Sequence, residues 1–432
     1  MQLLLLLSLI REEDNAHVKA FFKTDKKGDT VLSVITFMWP TGESLLSTHA
    51  DVIYCDSMWG TEQRGSKLAT VVVVDHDDAI RLAAAAIMDN ETAEAWGIFF
   101  NWVKECVPTF CPKCVVTDGA AFIFSEFEEY VKTPSTTEHI SCWWHQRNTN
   151  IRNYGGGSFP KKLGGLTYSD IFSSLQQRRD ELDHEINASK SFISEKEIES
   201  KYLLLEEYFE KAYINLKVFT GGTVTNSYAE SVNKQLRDIG LNTKQTRFET
   251  ILTLRGYCKY PRVKIAKLSA KNEEIIKNFT EEDVKDVVSN GVLRQMLRLS
   301  KQAPIICKTT QGKDSDTFFV QEKIDVPIAR NWAISRNALG IVIWGKDGIK
   351  CSCNKLVYRG MPCIHIVHVA QENKRRIPLK CFNERFFSKV SEKTMPDKEA
   401  IGVRTQEKGA RITYSRKNSG TKGIQYRYSD HL

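Results

Sequence analysis

Val52-Ile53-Tyr54-Cys55-Asp56-Ser57, then Leu68-Ala69-Thr70-Val71-Val72-Val73-Val74, then the apolar stretch Arg81 to Met88, decide the fold of this chain. The first two are rich in residues branched or bulky at Cβ, which crowd a helix and pack well on a pleated surface. The third is richer in alanine and gives a weaker signal. Uninterrupted apolar strands suit a sheet covered on both faces. Glu91 to Val107 follows with Trp96, Phe99, Phe100 and Val103 at helical spacing. Cys114-Val115-Val116-Thr117 predicts a short strand ending at Asp118, Phe122 to Val131 a helix, and His139-Ile140-Ser141-Cys142 another strand. Three strands, helix, strand, helix, strand is an α/β layer pattern with parallel pairing in its second half.

Working outward, residues 17–39 predict a hairpin around the polar turn Asp25–Asp29. Met1 to Ile10 is very apolar but lacks a basic leader and a small-residue cleavage site, and Arg11-Glu12-Glu13-Asp14 follows at once. It is also short of the ~20 apolar residues of a membrane span. It reads as a buried helix continuing from an upstream segment, with no membrane partner. Residues 170–216 read as long charged helices, and another helix begins near Asn226 after the loop Gly221 to Thr225. Residues 243–300 read as basic helices, strands and cysteines return from Thr317, and Arg404 to Leu432 reads as a basic tail. The expected division is a helix and hairpin at 1–50, an α/β domain at 51–240 with a helical insertion at about 146–220, a basic helical region at 241–315, a cysteine-bearing module at 316–380 and a tail at 381–432.

Charge is uneven along the chain. Residues 1–150 hold 12 Lys and Arg against 21 Asp and Glu, and residues 151–432 hold 49 against 32. An acidic front and a basic back suit metal-binding carboxylates in one and a polyanion track in the other, or simply scattered solvated charge. Eleven cysteines in 432 residues do not make a disulfide framework. They read as intracellular thiols, some of them metal ligands.

Asp56 and Asp118 each close an apolar strand, the edge of an open α/β sheet where sites form. Acidic strand ends brought side by side repel unless a cation bridges them, and two hard cations held by carboxylates can activate water for phosphodiester cleavage. Taken singly, each is equally readable as a loop aspartate or a helix cap. Asn226, Glu230 and Asn233 are spaced i, i+4, i+7 and share one helix face, the wall of a site or the surface of a capped helix.

Cysteines fall into two groups. Cys111 and Cys114 with Cys142 and His145 mimic a zinc pattern, but a strand rising ~3.3 Å per residue sets Cys114 about 13 Å from Asp118, whereas Cys142 closes the neighbouring strand near Asp118. A shared zinc is therefore not expected. Cys351-Ser352-Cys353, nine residues, then Cys363-Ile364-His365 offers three thiols and an imidazole, enough for a closed tetrahedral zinc site. His368 is a substitute ligand in reach. Lys374-Arg375-Arg376 and the stretch from Arg411, where tyrosines interleave with charge, suit DNA backbone contact or a solvated surface.

Cys55-Asp56-Ser57, Val116-Thr117-Asp118-Gly119, Cys142-Trp143-Trp144-His145 and Asn226…Ala229-Glu230-Ser231…Asn233, in this order, resemble the DDE transposase domain of Mutator-like elements and the related far-red-impaired-response regulators of plants. The Asp89-Asn90-Glu91-Thr92 step into an aromatic helix also looks like that family's strand-to-helix junction. The resemblance covers roughly residues 1 to 300, and the C-x-C-x9-C-x-H pattern looks like the SWIM zinc finger that follows such cores. It implies an RNase H-like mixed sheet with a helical insertion before the last acid, then helices and a small zinc-binding module of ββα type. It implies Mg²⁺ or Mn²⁺ at Asp56, Asp118 and Glu230, with Asp56 bridging two ions. It implies Zn²⁺ at Cys351, Cys353, Cys363 and His365, and an orienting or DNA-contacting role for Cys142 and His145 beside Asn226 and Asn233. The expected function is cleavage and strand transfer at transposon ends, in the nucleus, on terminal repeats and target DNA, as a homo-oligomer. A DNA-binding regulator without catalysis and a nuclease without transposition are the rival readings.

Overall fold

The computed structural model describes residues 2–58, 60–77, 79–118, 121–131, 137–142, 145, 159, 162–163, 166, 172–191, 193–217, 226–259, 268–281, 283–312, 316–322, 339–345, 348–353, 356 and 360–387. Helix α1 (Gln2–Glu13) leads into the hairpin β1 (His17–Thr24) and β2 (Thr30–Met38), and α2 (Pro40–Thr48) follows. Then come β3 (Val52–Met58), β4 (Lys67–Val74), β5 (Ile80–Met88), α3 (Ala93–Cys106), β6 (Cys114–Thr117), α4 (Ala121–Val131) and β7 (Glu138–Ser141). The seven strands form one mixed sheet in the order β1-β2-β5-β4-β3-β6-β7. β3, β6 and β7 pair in parallel, and the remaining neighbours are antiparallel.

Period-two alternation divides the strand residues between two cores. Ile53, Cys55, Val71, Val73 and Val115 pack against Trp96, Phe99, Phe100 and Val103 of α3 and Ile123 and Phe127 of α4. Val52, Tyr54, Val72, Cys114, Val116 and Ile140 face the opposite side, where α1, α7 (Ser227–Asp238) and α8 (Arg247–Lys259) lie. Helices on both faces explain why these strands read as continuous apolar runs.

Two sequence expectations change. Asp56 is not the end of its strand, because β3 continues through Ser57 and Met58, held to Ala69 and Leu68 of β4. The parallel partner β6 is the strand that stops short. Helix α1 is buried on one face only: Leu6, Leu7 and Ile10 are buried, whereas Leu4 and Leu5 are exposed. Arg255 of α8 fastens its end through a two-pronged bond to Asp14. Among the described residues no helix is long and apolar enough to cross a membrane.

Before α7 come α5 (Phe172–Ser189) and α6 (Glu195–Lys217), two charged helices with a small core of their own, including Leu175, Leu182, Leu205 and Tyr208. The back of the chain is a separate cluster. α9 (Ala270–Lys277), α10 (Val284–Val287) and α11 (Asn290–Ile306) pack with a four-stranded antiparallel sheet and α12 (Ile364–Glu372). The sheet runs β11 (Gly348–Cys351), β10 (Leu339–Gly345), β9 (Thr317–Glu322), β8 (Cys307–Gln311). β8 begins ten residues before the strand signal at Thr317. It is a mostly exposed edge strand, Cys307-Lys308-Thr309-Thr310-Gln311, so it carries no apolar run to read. The back unit meets the front sheet at the β4–β5 turn. Ser289 donates to the His76 carbonyl, and a Cβ on Gly291 would collide with the Asp77 carbonyl oxygen, so only glycine allows that approach.

Candidate functional site

Register builds the first site. Tyr54 pairs with Val116, and Thr117 with Ser141. Carried two residues on, the first pairing sets Asp56 level with Asp118. Carried one on, the second sets Asp118 level with Cys142. Neighbouring strands lie about 4.8 Å apart, so the three side chains form a row across β3, β6 and β7. Tyr54, Val116 and Ile140 face the α7 side, so the residues two further along face it too.

Helix α7 closes over this row. Tyr228 meets Tyr54 edge-on with ring centroids 4.9 Å apart, and Ala229, Val232 and Leu236 are buried against the sheet. Asn226 stands at the N-cap position, yet its side chain makes no cap bond to its helix. Instead its Nδ2 donates to the Cys55 carbonyl at 2.9 Å, and its backbone N–H donates to Cys142 Sγ at 3.2 Å. Asn233 Nδ2 donates to Asp56 Oδ2 at 2.8 Å, and Ser57 N–H to Asp56 Oδ1 at 2.9 Å. The polar stripe on α7 is thus divided in its work: the two asparagines are buried tethers and Glu230 is exposed to the cleft.

The cleft is open and about 960 Å³, lined by Asp56, Asp118, Glu230, Glu91, His145 and Asn233, with Lys67, Lys234 and Arg237 among its walls. Burial, then the charge of Asp118, pushes the Asp56 carboxyl up to about 8; Glu230 and Glu91 push the same way and the Ser57 N–H opposes them. An almost buried carboxyl facing three others holds its proton at neutral pH until a cation offsets the repulsion. Among the described residues Asn233 Oδ1, buried at the edge of the same cleft, has no hydrogen-bond partner. Burial pushes the Cys55 thiol far up, so that residue fills the core beside Asp56 and is inert.

Glu91, Lys67, Lys234 and Arg237 were not singled out from sequence. For two of them the signal was present: Glu230, Lys234 and Arg237 repeat the i, i+4, i+7 spacing. Lys67 reaches the cleft from the start of β4, which no local pattern reveals, and Glu91 from the Asp89–Thr92 junction, whose resemblance to the family's junction did not mark it as a site residue.

The second site is local. Cys351 ends β11, Cys353 follows in a turn, Cys363 is the N-cap of α12 and His365 lies in its first turn. All four are buried, with ligand atoms within 4.8 Å of one another. Cys351 Sγ and His365 Nδ1 are 3.5 Å apart. Bonds of ~2.3 Å to sulfur and ~2.0 Å to nitrogen give a tetrahedral S···N edge of about 3.5 Å, so the spacing suits zinc. A Cβ on Gly340 of β10 would lie 2.7 Å from His365 Nδ1, so the strand passes the imidazole with room for glycine alone. His368 is buried but stands outside the four-residue group. This group can hold zinc.

Cys114 is a buried thiol pushed far up by burial. Cys142 groups with His145 and Glu230 rather than with Cys111 or Cys114. In the basic segment after α12, Lys374 and Arg376 are exposed. Arg375 is engaged: it pairs with Asp316 at 3.0 Å and lies over the rings of Phe318 and Trp344. Arg411 lies outside the described residues, as do Trp143, Trp144 and the loop Gly221 to Thr225.

Residues 52–149 match the family model of the MULE transposase domain. The matched stretch carries Asp56, Asp118, Cys142 and His145 and ends before Glu230. It points to a transposase-related function and, in general terms, to contact with DNA. No curated protein matches the chain.

Proposed function

We propose that this chain is a metal-dependent transposase of the Mutator-like type, cleaving DNA strands and joining them to a target. The convergence of Asp56, Asp118 and Glu230 on one cleft carries this reading. The first two are supplied by adjacent parallel strands and the third by the helix laid over them. The matched transposase domain, the three antiparallel strands followed by two parallel ones, and the helical pair before Glu230 all support an RNase H-like core.

The residues fit a hard divalent cation. Asp56 presents an almost buried carboxyl whose oxygens are aimed by Asn233 and Ser57, Asp118, Glu230 and Glu91 all push that carboxyl towards its protonated form, and among the described residues the buried Asn233 Oδ1 has no hydrogen-bond partner. Asp56, Asp118 and Glu230 would hold Mg²⁺ or Mn²⁺. Bound there, such ions lower the pKa of an attacking water and offset charge on the leaving oxygen. The chain's own part is to position and to balance charge. Asn233 and Asn226 lock Asp56 and Cys55 under α7. Lys67, Lys234 and Arg237 offer positive charge to a phosphodiester backbone entering an otherwise acidic cleft. Lys374 and Arg376 are further candidates for backbone contact, and Arg375 anchors its own module.

Cys351, Cys353, Cys363 and His365 would hold structural Zn²⁺ in a module of SWIM type, supplied by the end of β11, the turn after it, the N-cap of α12 and its first turn. Two DNA ends must be brought together for transposition, so a homo-oligomer acting in the nucleus belongs to this proposal.

Asp56→Ala and Glu230→Ala should each reduce Mg²⁺-dependent nicking of DNA to the level of buffer alone, with zinc content unchanged. Wild-type cleavage in either variant removes the assignment. DNA binding by the unaltered chain, without cleavage in Mg²⁺ or Mn²⁺, favours the regulator reading instead.

A further inference from the structure

Glu230 belongs to two different ligand sets. Besides facing Asp56 and Asp118, its carboxylate lies with Cys142 Sγ and a His145 ring nitrogen in a group whose ligand atoms are all within 4.8 Å of one another. His145 Nδ1 and Glu230 Oε1 are 4.0 Å apart. The row on the sheet supplies the thiol, the residue beyond β7 supplies the imidazole and α7 supplies the carboxylate. Cys142 is fully buried, whereas His145 is half-buried and Glu230 exposed, so the group has a closed floor and an open mouth.

The chemistry of this set differs from that of the carboxylate site. Thiolate, imidazole and carboxylate together select borderline ions such as Zn²⁺ and Co²⁺, whereas carboxylates and water select Mg²⁺ and Mn²⁺. The Asn226 N–H already points at Cys142 Sγ at 3.2 Å. Tetrahedral zinc needs ligand-to-ligand edges of about 3.3–3.8 Å, so the group closes around an ion by small side-chain rotations. Three protein ligands with one open direction is the arrangement of an exchangeable site, unlike the four-ligand group at Cys351.

We propose that Cys142, His145 and Glu230 form a second transition-metal site, taking Zn²⁺ or Co²⁺ with a water in the open position. On binding, the Cys142 thiol releases its proton to solvent as the metal–sulfur bond forms. Occupancy engages Glu230, the carboxylate that would otherwise complete the hard-cation site. The proposal goes beyond the cleavage reading and rests on these three side chains alone.

The test uses the whole metal-stripped chain, first given one equivalent of Zn²⁺, which the three-thiolate group at residues 351–365 takes preferentially. Co²⁺ is then titrated and followed by thiolate-to-cobalt charge transfer and visible d–d bands. The expected result is a further equivalent of Co²⁺ with a weak, single-thiolate charge-transfer band. That band should be lost in Cys142→Ser and His145→Ala and weakened at least tenfold in apparent affinity in Glu230→Gln. His145→Ala removes a half-exposed ring and keeps the fold, so it decides the matter if Cys142→Ser does not fold. Asp56→Ala should keep the band while abolishing cleavage, which separates this site from the proposed activity. Absence of any thiolate band after zinc loading, or a band surviving His145→Ala, overturns the proposal.

Discussion

The two metal-capable regions of this molecule are built in opposite ways. The group at the back draws Cys351, Cys353, Cys363 and His365 from one short hairpin-to-helix segment. The cleft at the front draws Asp56, Asp118 and Glu230 from three elements dispersed between residues 56 and 230. In the first, three thiols and an imidazole surround a point where zinc could be held. In the second, two strands and a helix bring carboxyls together, and burial with the charge of Asp118 pushes the Asp56 carboxyl up to about 8. The difference teaches that ligand-type residues can be gathered by one short segment or by the register of distant strands and the helix laid over them.

The sharpest way to break this comparison is to withdraw zinc. Structural zinc sites supply ~10–16 kcal/mol of apparent binding free energy at neutral pH in small peptides. Chelation, or Cys363→Ser, should therefore unfold the segment around β10, β11 and α12 while the seven-stranded sheet persists. Hydrogen exchange followed by peptide would show protection lost over residues 339–372 and kept over residues 52–117. Equal loss in both would mean that the two regions do not fold independently.

Asp56→Asn acts on the front region in the other direction. The wild-type carboxyl is raised from 3.8 to about 8 in the folded chain. Folded protein thus keeps a proton that the unfolded chain gives up. Stability from this group is complete below about pH 4 and is lost as pH rises towards 8. The loss amounts to a few kcal/mol, at on the order of 1.4 kcal/mol per tenfold change in proton affinity. The metal-free chain should weaken in urea across that range, and Mg²⁺ should restore it. Asp56→Asn should flatten the dependence and raise metal-free stability at pH 8 while removing cleavage. A variant less stable than wild type at pH 8 would show that the carboxyls are not strained against one another.

A smaller effect tests the tether. Asn233→Ala removes the 2.8 Å bond to Asp56 Oδ2. Losing such an orienting partner typically weakens metal binding by ~10–100-fold. Isothermal titration with Mn²⁺ would measure it, and unchanged affinity would make Asn233 a packing residue only.

Much of the core was legible because its signals are local. β-branched runs gave β3 and β4, the aromatic stripe gave α3, and the short runs ending at Thr117 and Ser141 gave β6 and β7. β8 was not legible, because an exposed edge strand of Lys308, Thr309, Thr310 and Gln311 has nothing to bury. The burial of Asn226 and Asn233 was hidden for a different reason. Polar residues at helical spacing look alike whether they face water or bond to a neighbouring strand, and only the bonds to Cys55 and Asp56 decide.

By itself the sequence determined the composition of each element and the grouping of Cys351, Cys353, Cys363 and His365 at the back. Spacing along a chain fixes geometry when all the partners lie within a turn or two of one another. Only the tertiary structure decided that Asp56, Asp118 and Cys142 share one row, that Glu230 reaches both the acids and the Cys142–His145 pair, and that Lys67 and Glu91 join them. Those relations depend on the parallel register of β3, β6 and β7 and on the seating of α7. Contacts of that kind bring together residues far apart in the chain, and no spacing within a single segment encodes them.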